Sequence, residues 1–251
     1  MSVETIGNAT LYLGDCLEVL PMLCGLGDGC QNPDVSVEQG RGAGNDLKTR
    51  IFDAVITDPP YGVNYKGSST KWTPSDDVGY ISFEDTPDAV RNLIVPRFEQ
   101  ALKLAERAAL TPGLRCYSFY PKPDGEGVIW YPSGANRGPW GFVTHQPIFY
   151  YGKCPYLADG NGSRPTGFQS TEPAEKNGHP CPKPIGQMIW LVNRVTRMGE
   201  TVLDPFMGSG TTGVACVTTG RSFVGIEIEP KYFDIACRRI EDAQRQQRLI
   251  A

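Results

Sequence analysis

Residues 202–213 have the sequence Val-Leu-Asp-Pro-Phe-Met-Gly-Ser-Gly-Thr-Thr-Gly, which is typical of a strand, a glycine turn and the start of a helix. On either side, hydrophobic periodicity predicts alternating helices and strands, at 185–197, 201–203, 211–219, 222–228 and from Pro230 onward. Strands that alternate with helices usually form a parallel sheet covered by those helices. We therefore expect an α/β fold with a twisted, mostly parallel sheet and helices on both faces.

The glycine turn itself indicates a ligand. Gly208, Gly210 and Gly213 match the dinucleotide spacing G-x-G-x-x-G, and Glu227 ends the next strand, 19 residues after Gly208, where an acid could hold ribose hydroxyls. This pattern alone supports a nicotinamide or flavin enzyme. However, Asp204-Pro-Phe206 separates the strand from the first glycine, so the turn is longer than the dinucleotide type. S-adenosylmethionine, which has a ribose but no pyrophosphate, is the alternative ligand.

A second group of residues follows the apolar strand at 51–57, where the chain continues as Asp58-Pro59-Pro60-Tyr61. Two prolines cannot continue a strand ladder, so we expect Asp58 at the carboxyl edge of the sheet, where open α/β folds bind ligands. The Asp58 carboxylate can accept one hydrogen of a planar amine, the Pro59 carbonyl can accept the other, and Tyr61 can stack on the ring. These acceptors would direct the nitrogen lone pair toward the methyl group of a sulfonium donor, which favours S-adenosylmethionine.

With these residues, the chain resembles the DNA amino-methyltransferases, which modify adenine or cytosine on the exocyclic nitrogen. Asp58-Pro-Pro-Tyr61 resembles their catalytic motif, residues 204–212 resemble their methyl-donor motif, and residues 225–232 resemble the ribose-binding motif that follows. His179-Pro-Cys-Pro-Lys183-Pro184 resembles the segment that closes over the methionine part of the donor, and Gly14-Asp15 resembles the element that contacts its adenine. Since the catalytic motif precedes the donor motif, the order is similar to that of the permuted β group.

The resemblance implies a Rossmann-like, S-adenosylmethionine-dependent methyltransferase fold and a single permuted domain over residues 1–251. It implies transfer of a methyl group to the amino group of adenine in double-stranded DNA, with the base rotated out of the duplex. Asp at the first catalytic position favours adenine, and the amino group of cytosine is the alternative. A restriction–modification context is expected, and a homodimer is a further expected partner because the resembled group often forms dimers.

The resemblance also assigns two sets of site residues. The catalytic set is Asp58, Pro59, Pro60 and Tyr61. The donor-binding set is Asp15, Cys16, His179, Lys183, Asp204, Phe206, Gly208, Ser209, Gly210, Thr211, Thr212 and Glu227.

The composition is that of an ordinary globular protein, with 251 residues, 40% hydrophobic and 21% charged residues and a formal net charge of -4. No apolar run approaches the ~18 residues of a membrane span, and residues 1–10 lack a signal-peptide pattern. None of the eight cysteines forms a closely spaced, metal-binding pair. We therefore expect a cytoplasmic protein with reduced thiols, no metal and no membrane partner.

The rest of the chain is predicted more coarsely. A strand at 10–15 and a helix at 16–23 precede a glycine-rich segment at about 25–49, which is interpreted as a flexible insertion. A helix is predicted over 86–109. Residues from about 112 to 178 are rich in proline, glycine and aromatics with short strand-like runs, and they are interpreted as a small target-recognition region.

Several alternatives remain open from the sequence. A nicotinamide oxidoreductase would use the glycine pattern but leave residues 58–61 unexplained. A DNA-binding module without activity could keep the same fold. A cytosine carbon-5 methyltransferase would need Cys181 as its nucleophile, although Cys181 lies in the donor-closing segment. Methyltransferases acting on RNA or on a protein glutamine use a similar grip on the amine, but they carry the donor motif first.

Overall fold

A computed structural model describes residues 1–24, 50–64, 83–134, 136–138, 140–175, 177–179 and 181–250. The predicted insertion at about 25–49 lies outside these residues. So do residues 135, 139 and 176 of the predicted target-recognition region, and Pro180 of the donor-closing segment.

The described strands lie mostly in one sheet. Eleven strands are described, namely β1 (Ser2–Ile6), β2 (Ala9–Leu13), β3 (Phe52–Thr57), β4 (Ala105–Leu110), β5 (Gly125–Trp130), β6 (Asn136–Gly138), β7 (Gly141–Val143), β8 (His145–Tyr151), β9 (Phe168–Gln169), β10 (Thr201–Asp204) and β11 (Ser222–Glu227). Nine of them form a sheet in the order β1-β2-β11-β10-β3-β4-β8-β5-β9. Among the described strands, β6 and β7 stand apart, as an antiparallel hairpin.

The centre of the sheet is parallel. The strands β2, β11, β10, β3 and β4 run in one direction, and β1 and β8 flank them antiparallel. From β10 the chain crosses to β11 on one side, whereas from β3 it crosses to β4 on the other. The strand order therefore reverses between β10 and β3, which is the point where open α/β sheets bind their ligands.

Helices cover both faces of the sheet, as expected. The described helices are α1 (Cys16–Leu23), α2 (Pro87–Ala89), α3 (Val95–Lys103), α4 (Gly113–Cys116), α5 (Pro155–Ala158), α6 (Ile185–Val195), α7 (Thr211–Thr218) and α8 (Pro230–Ile250). Side chains of α6, α7 and α8 pack on one face around Val202 and Phe223. Side chains of α1 and α3 pack on the other face around Leu203 and Phe98. Because Val202 and Leu203 are consecutive, their side chains point to opposite faces of the sheet, and β10 contributes to both cores.

The helix predicted over 86–109 is wrong from Leu104 onward. A π-helical turn at Val90–Ile94 joins α2 to α3, next to Pro96, which has no N–H to donate and so disturbs the regular helix ladder. The helix ends at Lys103, and the following Ala105–Leu110 forms β4 between β3 and β8. Pairing on both edges outweighs the helix propensity of this alanine-rich stretch.

The stretch interpreted as a small target-recognition region forms part of the main sheet. It supplies β5, β8 and β9, which extend the main sheet beyond β4. Among the described strands of this stretch, β6 and β7 lie outside that sheet, and Trp140 between them is fully exposed. No helix among the described residues has the length and apolar character needed to cross a bilayer.

Candidate active site

A cavity opens at the carboxyl edge of the sheet where the strand order reverses. Its walls come from the turns after β2, β3, β10 and β11 and from the segment before α6. Fifteen of the sixteen predicted site residues line it, and Gly210 is the exception. Within the described residues, no group of three or more His, Cys, Asp or Glu side chains could hold a metal ion.

Asp58 lies at the end of β3, and its two carboxylate oxygens have different partners. Oδ1 accepts hydrogen bonds from the hydroxyls of Tyr61 and Thr111 and from the Gln146 amide, the last at 3.2 Å. Oδ2 forms an ion pair with the ammonium of Lys183. Four donors therefore fix the position of this carboxylate.

Tyr61 donates its hydroxyl to Asp58, and the ammonium nitrogen of Lys183 lies 4.9 Å from the centroid of the Tyr61 ring. Burial, followed by the charge of Asp58, raises the pKa of Tyr61 well above its ordinary value. The phenol therefore stays protonated and remains a donor. The Tyr61 ring can pack here because residue 113 is glycine: a Cβ at Gly113 would lie 2.7 Å from the ring.

Lys183, predicted as a donor-binding residue, lines the cavity but directs its charge at the catalytic carboxylate. Burial opposes its charge, yet the attraction of Asp58 outweighs that cost and raises the pKa of Lys183 well above its ordinary value. Lys183 is therefore a permanent cation at the junction between the catalytic residues and the donor-closing segment.

Asp204 ends β10 and organises the glycine turn. Its Oδ1 accepts from the Thr57 hydroxyl at 2.7 Å and from the Phe206 amide at 3.1 Å, and its Oδ2 accepts from the Thr212 hydroxyl at 2.7 Å. Burial raises the pKa of Asp204 to about 6 despite these bonds. Asp204 thus connects β3 to the start of α7 and is a structural acceptor as well as a lining residue.

Glu227 ends β11 on the opposite side of the turn. One carboxylate oxygen accepts from the Gly208 amide at 2.9 Å, and the other accepts from the Glu229 amide at 2.8 Å. Burial raises the pKa of Glu227 to about 7. Each oxygen keeps a further lone pair, so the side chain can accept hydroxyl groups of a ligand.

The glycine turn allows close approach to the ligand side of the cavity. Gly208 and Gly210 adopt the left-handed conformation, with φ of 53° and 76°. A Cβ at Gly208 would lie 2.9 Å from Nε2 of His179. Burial lowers the pKa of His179 to about 4, so its ring is neutral; it accepts from the Cys181 amide and packs edge-on against Tyr232.

Asp15 and Cys16 begin α1 at the far end of the cavity. Asp15 caps the helix through the Leu17 amide at 2.8 Å and forms an ion pair with Arg97 at 2.8 Å. Hydrogen bonding to Arg97 holds the pKa of Asp15 below its ordinary value. Burial raises the pKa of Cys16 to about 12, so this thiol is not a nucleophile.

Amphipathic periodicity predicts that the arginines of α8 face solvent, and for Arg239 this prediction is wrong. One of its terminal nitrogens donates to the Ser209 carbonyl at 2.6 Å and to the Thr211 hydroxyl at 3.1 Å, and the other pairs with Glu175 at 3.0 Å. The adjacent Arg238 is exposed, as expected. Helical periodicity could not separate the two, because the partner of Arg239 is a turn of the chain rather than the apolar core.

Other site residues belong to none of the motifs. Thr111 and Gln146 contact Asp58, Arg97 contacts Asp15, and the Asp85 carboxylate accepts from the Gly62 and Val63 amides that follow the catalytic motif. These contacts join residues far apart in the chain. The sequence therefore contains no local signal for them.

Comparisons with known proteins agree with this architecture. Residues 121–238 match a family model described as DNA methylase. The Type II methyltransferase M2.DpnII of Streptococcus pneumoniae is 44% identical over 63 residues, which are 25% of this chain and 24% of that protein. The chain thus aligns with about a quarter of the length of this relative.

Two solved structures share the fold. The crystal structure of the M1.HpyAVI–SAM complex superposes with a TM-score of 0.57 and 19% identity over 92% of this chain and 98% of that one. The PvuII DNA methyltransferase (cytosine-N4-specific) superposes with a TM-score of 0.59 and 15% identity over 96% and 93%. The family match over residues 121–238, the relative and the shared fold all agree with the resemblance to the DNA amino-methyltransferases seen in the sequence.

Proposed function

We propose that this protein transfers the methyl group of S-adenosylmethionine to the N6 amino group of adenine in double-stranded DNA. The observation that carries the proposal is the placement of the Asp58 carboxylate in the same cavity as the glycine turn, Asp204 and Glu227. An amine acceptor and a nucleoside-binding turn are the two components that amino methylation requires. The permuted β group, with the catalytic motif first, is part of the same proposal.

The charges around the cavity support a sulfonium donor over a dinucleotide. Within the described residues, six carboxylates line it, from Asp15, Asp58, Asp85, Asp204, Glu227 and Glu229. Its two lining cations, Arg97 and Lys183, are both paired with lining carboxylates. An acidic lining attracts the positive charge of S-adenosylmethionine and repels a pyrophosphate.

The residues present also fit the shape of such a donor. We assign the ribose hydroxyls to Glu227, whose carboxylate is fixed by the Gly208 and Glu229 amides. The absence of a Cβ at Gly208 lets the His179 ring lie against the backbone of the turn. When bound, the donor supplies an electrophilic methyl group. We further assign its adenine to the Asp15 and Cys16 end of the cavity and its methionine part to the His179 and Lys183 segment.

Asp58 would receive the target amino group at Oδ2. Oδ1 already accepts from Tyr61, Thr111 and Gln146, whereas Oδ2 has the ammonium of Lys183 as its partner. The entering amino group therefore competes with Lys183 for Oδ2. Fixing the amine there directs its lone pair, and such positioning can supply ~7–11 kcal/mol of a barrier.

A survey of DNA modification tests the proposal directly. The gene would be expressed in a methylation-deficient bacterium, and the genomic DNA sequenced by a method that reports modified bases at single-nucleotide resolution. We expect N6-methyladenine at one recurring sequence, and unmodified DNA from an Asp58→Ala control. N4-methylcytosine would preserve the chemistry and overturn the choice of base. Unmodified DNA from cells containing folded wild-type protein would overturn the DNA substrate.

The raised pKa of Glu227 predicts a pH-dependent affinity for the donor. Its folded pKa of about 7 exceeds the ordinary value of 4.5, so the stability it contributes is present below the ordinary value and lost as pH rises through 7. Ribose hydroxyls bind the ionised form. Calorimetric titration should therefore show wild-type affinity for S-adenosylmethionine rising about tenfold from pH 6 to pH 8.

Glu227→Gln should bind the donor weakly and without this slope, since the amide mimics the protonated acid. The exposed Glu241→Gln variant is the matched control and should behave as wild type. A slope that persists in Glu227→Gln would assign the titration to another group, Asp204 being the next buried acid with a raised pKa.

A further inference from the structure

Gln146 lies between the catalytic residues and the core, but outside the cavity. It belongs to β8, is 7% exposed, and is absent from the cavity wall. Its amide nitrogen donates to Asp58 Oδ1 at 3.2 Å and contacts the Tyr61 hydroxyl. A single side chain thus touches both functional groups of the catalytic motif without access to a ligand in the cavity.

The orientation of the Gln146 amide is set from its other side. Its carbonyl oxygen accepts from the Tyr131 hydroxyl at 3.0 Å, and that hydroxyl also lies 3.0 Å from Oε1 of Gln187 on α6. Tyr131 has one hydroxyl hydrogen and cannot donate to both oxygens. Gln187 is 1% exposed, and its Nε2 is a buried donor without a partner among the described residues.

Tyr131 faces two oxygens with one hydrogen, and Gln187 Nε2 has no acceptor among the described residues. Both facts are explained if the Gln187 amide is turned so that Nε2 donates to the Tyr131 hydroxyl. The chain of hydrogen bonds then runs in one direction, from Gln187 Nε2 to Tyr131, from Tyr131 to Gln146 Oε1, and from Gln146 Nε2 to Asp58 Oδ1. Tyr131 then accepts one hydrogen bond and donates one, and the buried Gln187 Nε2 has an acceptor. The direction also leaves the Gln146 nitrogen, rather than its oxygen, facing the carboxylate, which can only accept.

We propose that Gln146 is a positioning residue for methyl transfer, holding Asp58 and Tyr61 so that Oδ2 faces the target amine, and that Tyr131 and Gln187 fix its orientation. This proposal rests on the function proposed above. It differs from a packing role, because it requires a hydrogen-bond donor at this position and not only a side chain of similar volume.

The test compares Gln146→Leu with Gln146→Glu on the purified full-length protein. Gln146→Leu keeps the volume and removes the donor, so kcat should fall ~10–100-fold, as expected for a misplaced reacting group, while donor affinity stays within about twofold. Gln169→Leu, at an exposed position of β9, is the matched control and should keep wild-type kcat.

Gln146→Glu gives a readout that a packing role would not change. The introduced carboxyl group would face Asp58, Tyr61, Tyr131 and, beyond Asp58, Lys183. When protonated it can donate to Asp58 as the amide does. When ionised it repels Asp58. We therefore expect kcat relative to wild type to be highest at low pH and to fall as pH rises, whereas the deficit of Gln146→Leu stays constant with pH.

Tyr131→Phe provides a milder variant with the same prediction. It removes one oxygen, should lower kcat ~3–10-fold, and should add little to Gln146→Leu, because residues that act through one contact are not additive. Equal pH profiles for the Leu and Glu variants, or wild-type kcat in Gln146→Leu, would overturn the positioning role. An inactive wild type would instead overturn the proposed function.

Discussion

Asp58→Ala is expected to lower the rate of methyl transfer by about 10³-fold or more while leaving the affinity for S-adenosylmethionine within about twofold. The variant removes the carboxylate that would fix the target amine, but it leaves the glycine turn, Asp204 and Glu227 unchanged. Single-turnover rates on methylatable DNA and calorimetric titration of the donor measure the two effects separately. Full activity in this variant would remove Asp58 from the catalytic site.

The same substitution has a structural cost that needs its own control. Asp58 and Lys183 are an ion pair with side chains only 18% and 13% exposed. Removing one partner of a buried pair costs about 3–5 kcal/mol, since the other charge remains without compensation. Asp58→Ala/Lys183→Met should recover much of the unfolding free energy and none of the activity. Recovery of activity together with stability would attribute the loss to unfolding.

Gly210→Ala is expected to destabilise the protein by about 2–4 kcal/mol and to weaken donor binding through the displaced turn. Gly210 precedes α7 with a φ of 76°, and an added Cβ would lie 2.8 Å from the Cβ of Ala236 on α8. Strain of the left-handed conformation and overpacking against α8 therefore act together. Urea unfolding and donor titration measure the two consequences.

Gly162→Ala is the matched control for this substitution. An added Cβ at Gly162 would meet no heavy atom within 4 Å, and its backbone is not left-handed. The expected change in unfolding free energy is within about 0.5 kcal/mol. Equal stabilities for the two alanine variants would show that the turn adapts to a side chain and that its conformation is not required.

The sequence predicted most of the cavity wall because its residues lie in short motifs that each follow a strand. The topology then brings the motifs together, since β3 and β10 are neighbours and their carboxyl ends meet. The sequence could not predict β4, because residues Ala105–Leu110 favour a helix locally and become a strand only by pairing with β3 and β8. Nor could it predict the partner of Lys183, which lies 125 positions away at Asp58.

Gln146 and Arg239 were missed for a related physical reason. Each acts on a motif from an element that is remote in sequence, one from β8 and the other from α8. For a polar side chain in a strand, or an arginine on an amphipathic helix, the neighbouring sequence does not indicate which residue it will contact. Such residues become visible only when the hydrogen bonds of the motif side chains are followed outward.

The place of β10 between β3 and β11 has a consequence for synthesis of the chain on the ribosome. Thr57 and Asp204, which hydrogen-bond at the centre of the sheet, are 147 residues apart. At bacterial and eukaryotic elongation rates this interval lasts roughly 7–30 s. During that time β3 is complete but its inner edge has no neighbour, and an unpaired apolar strand edge can join a second chain. The reversal of strand order that creates the cavity therefore also leaves one edge of β3 without its native partner until the last third of the chain is made.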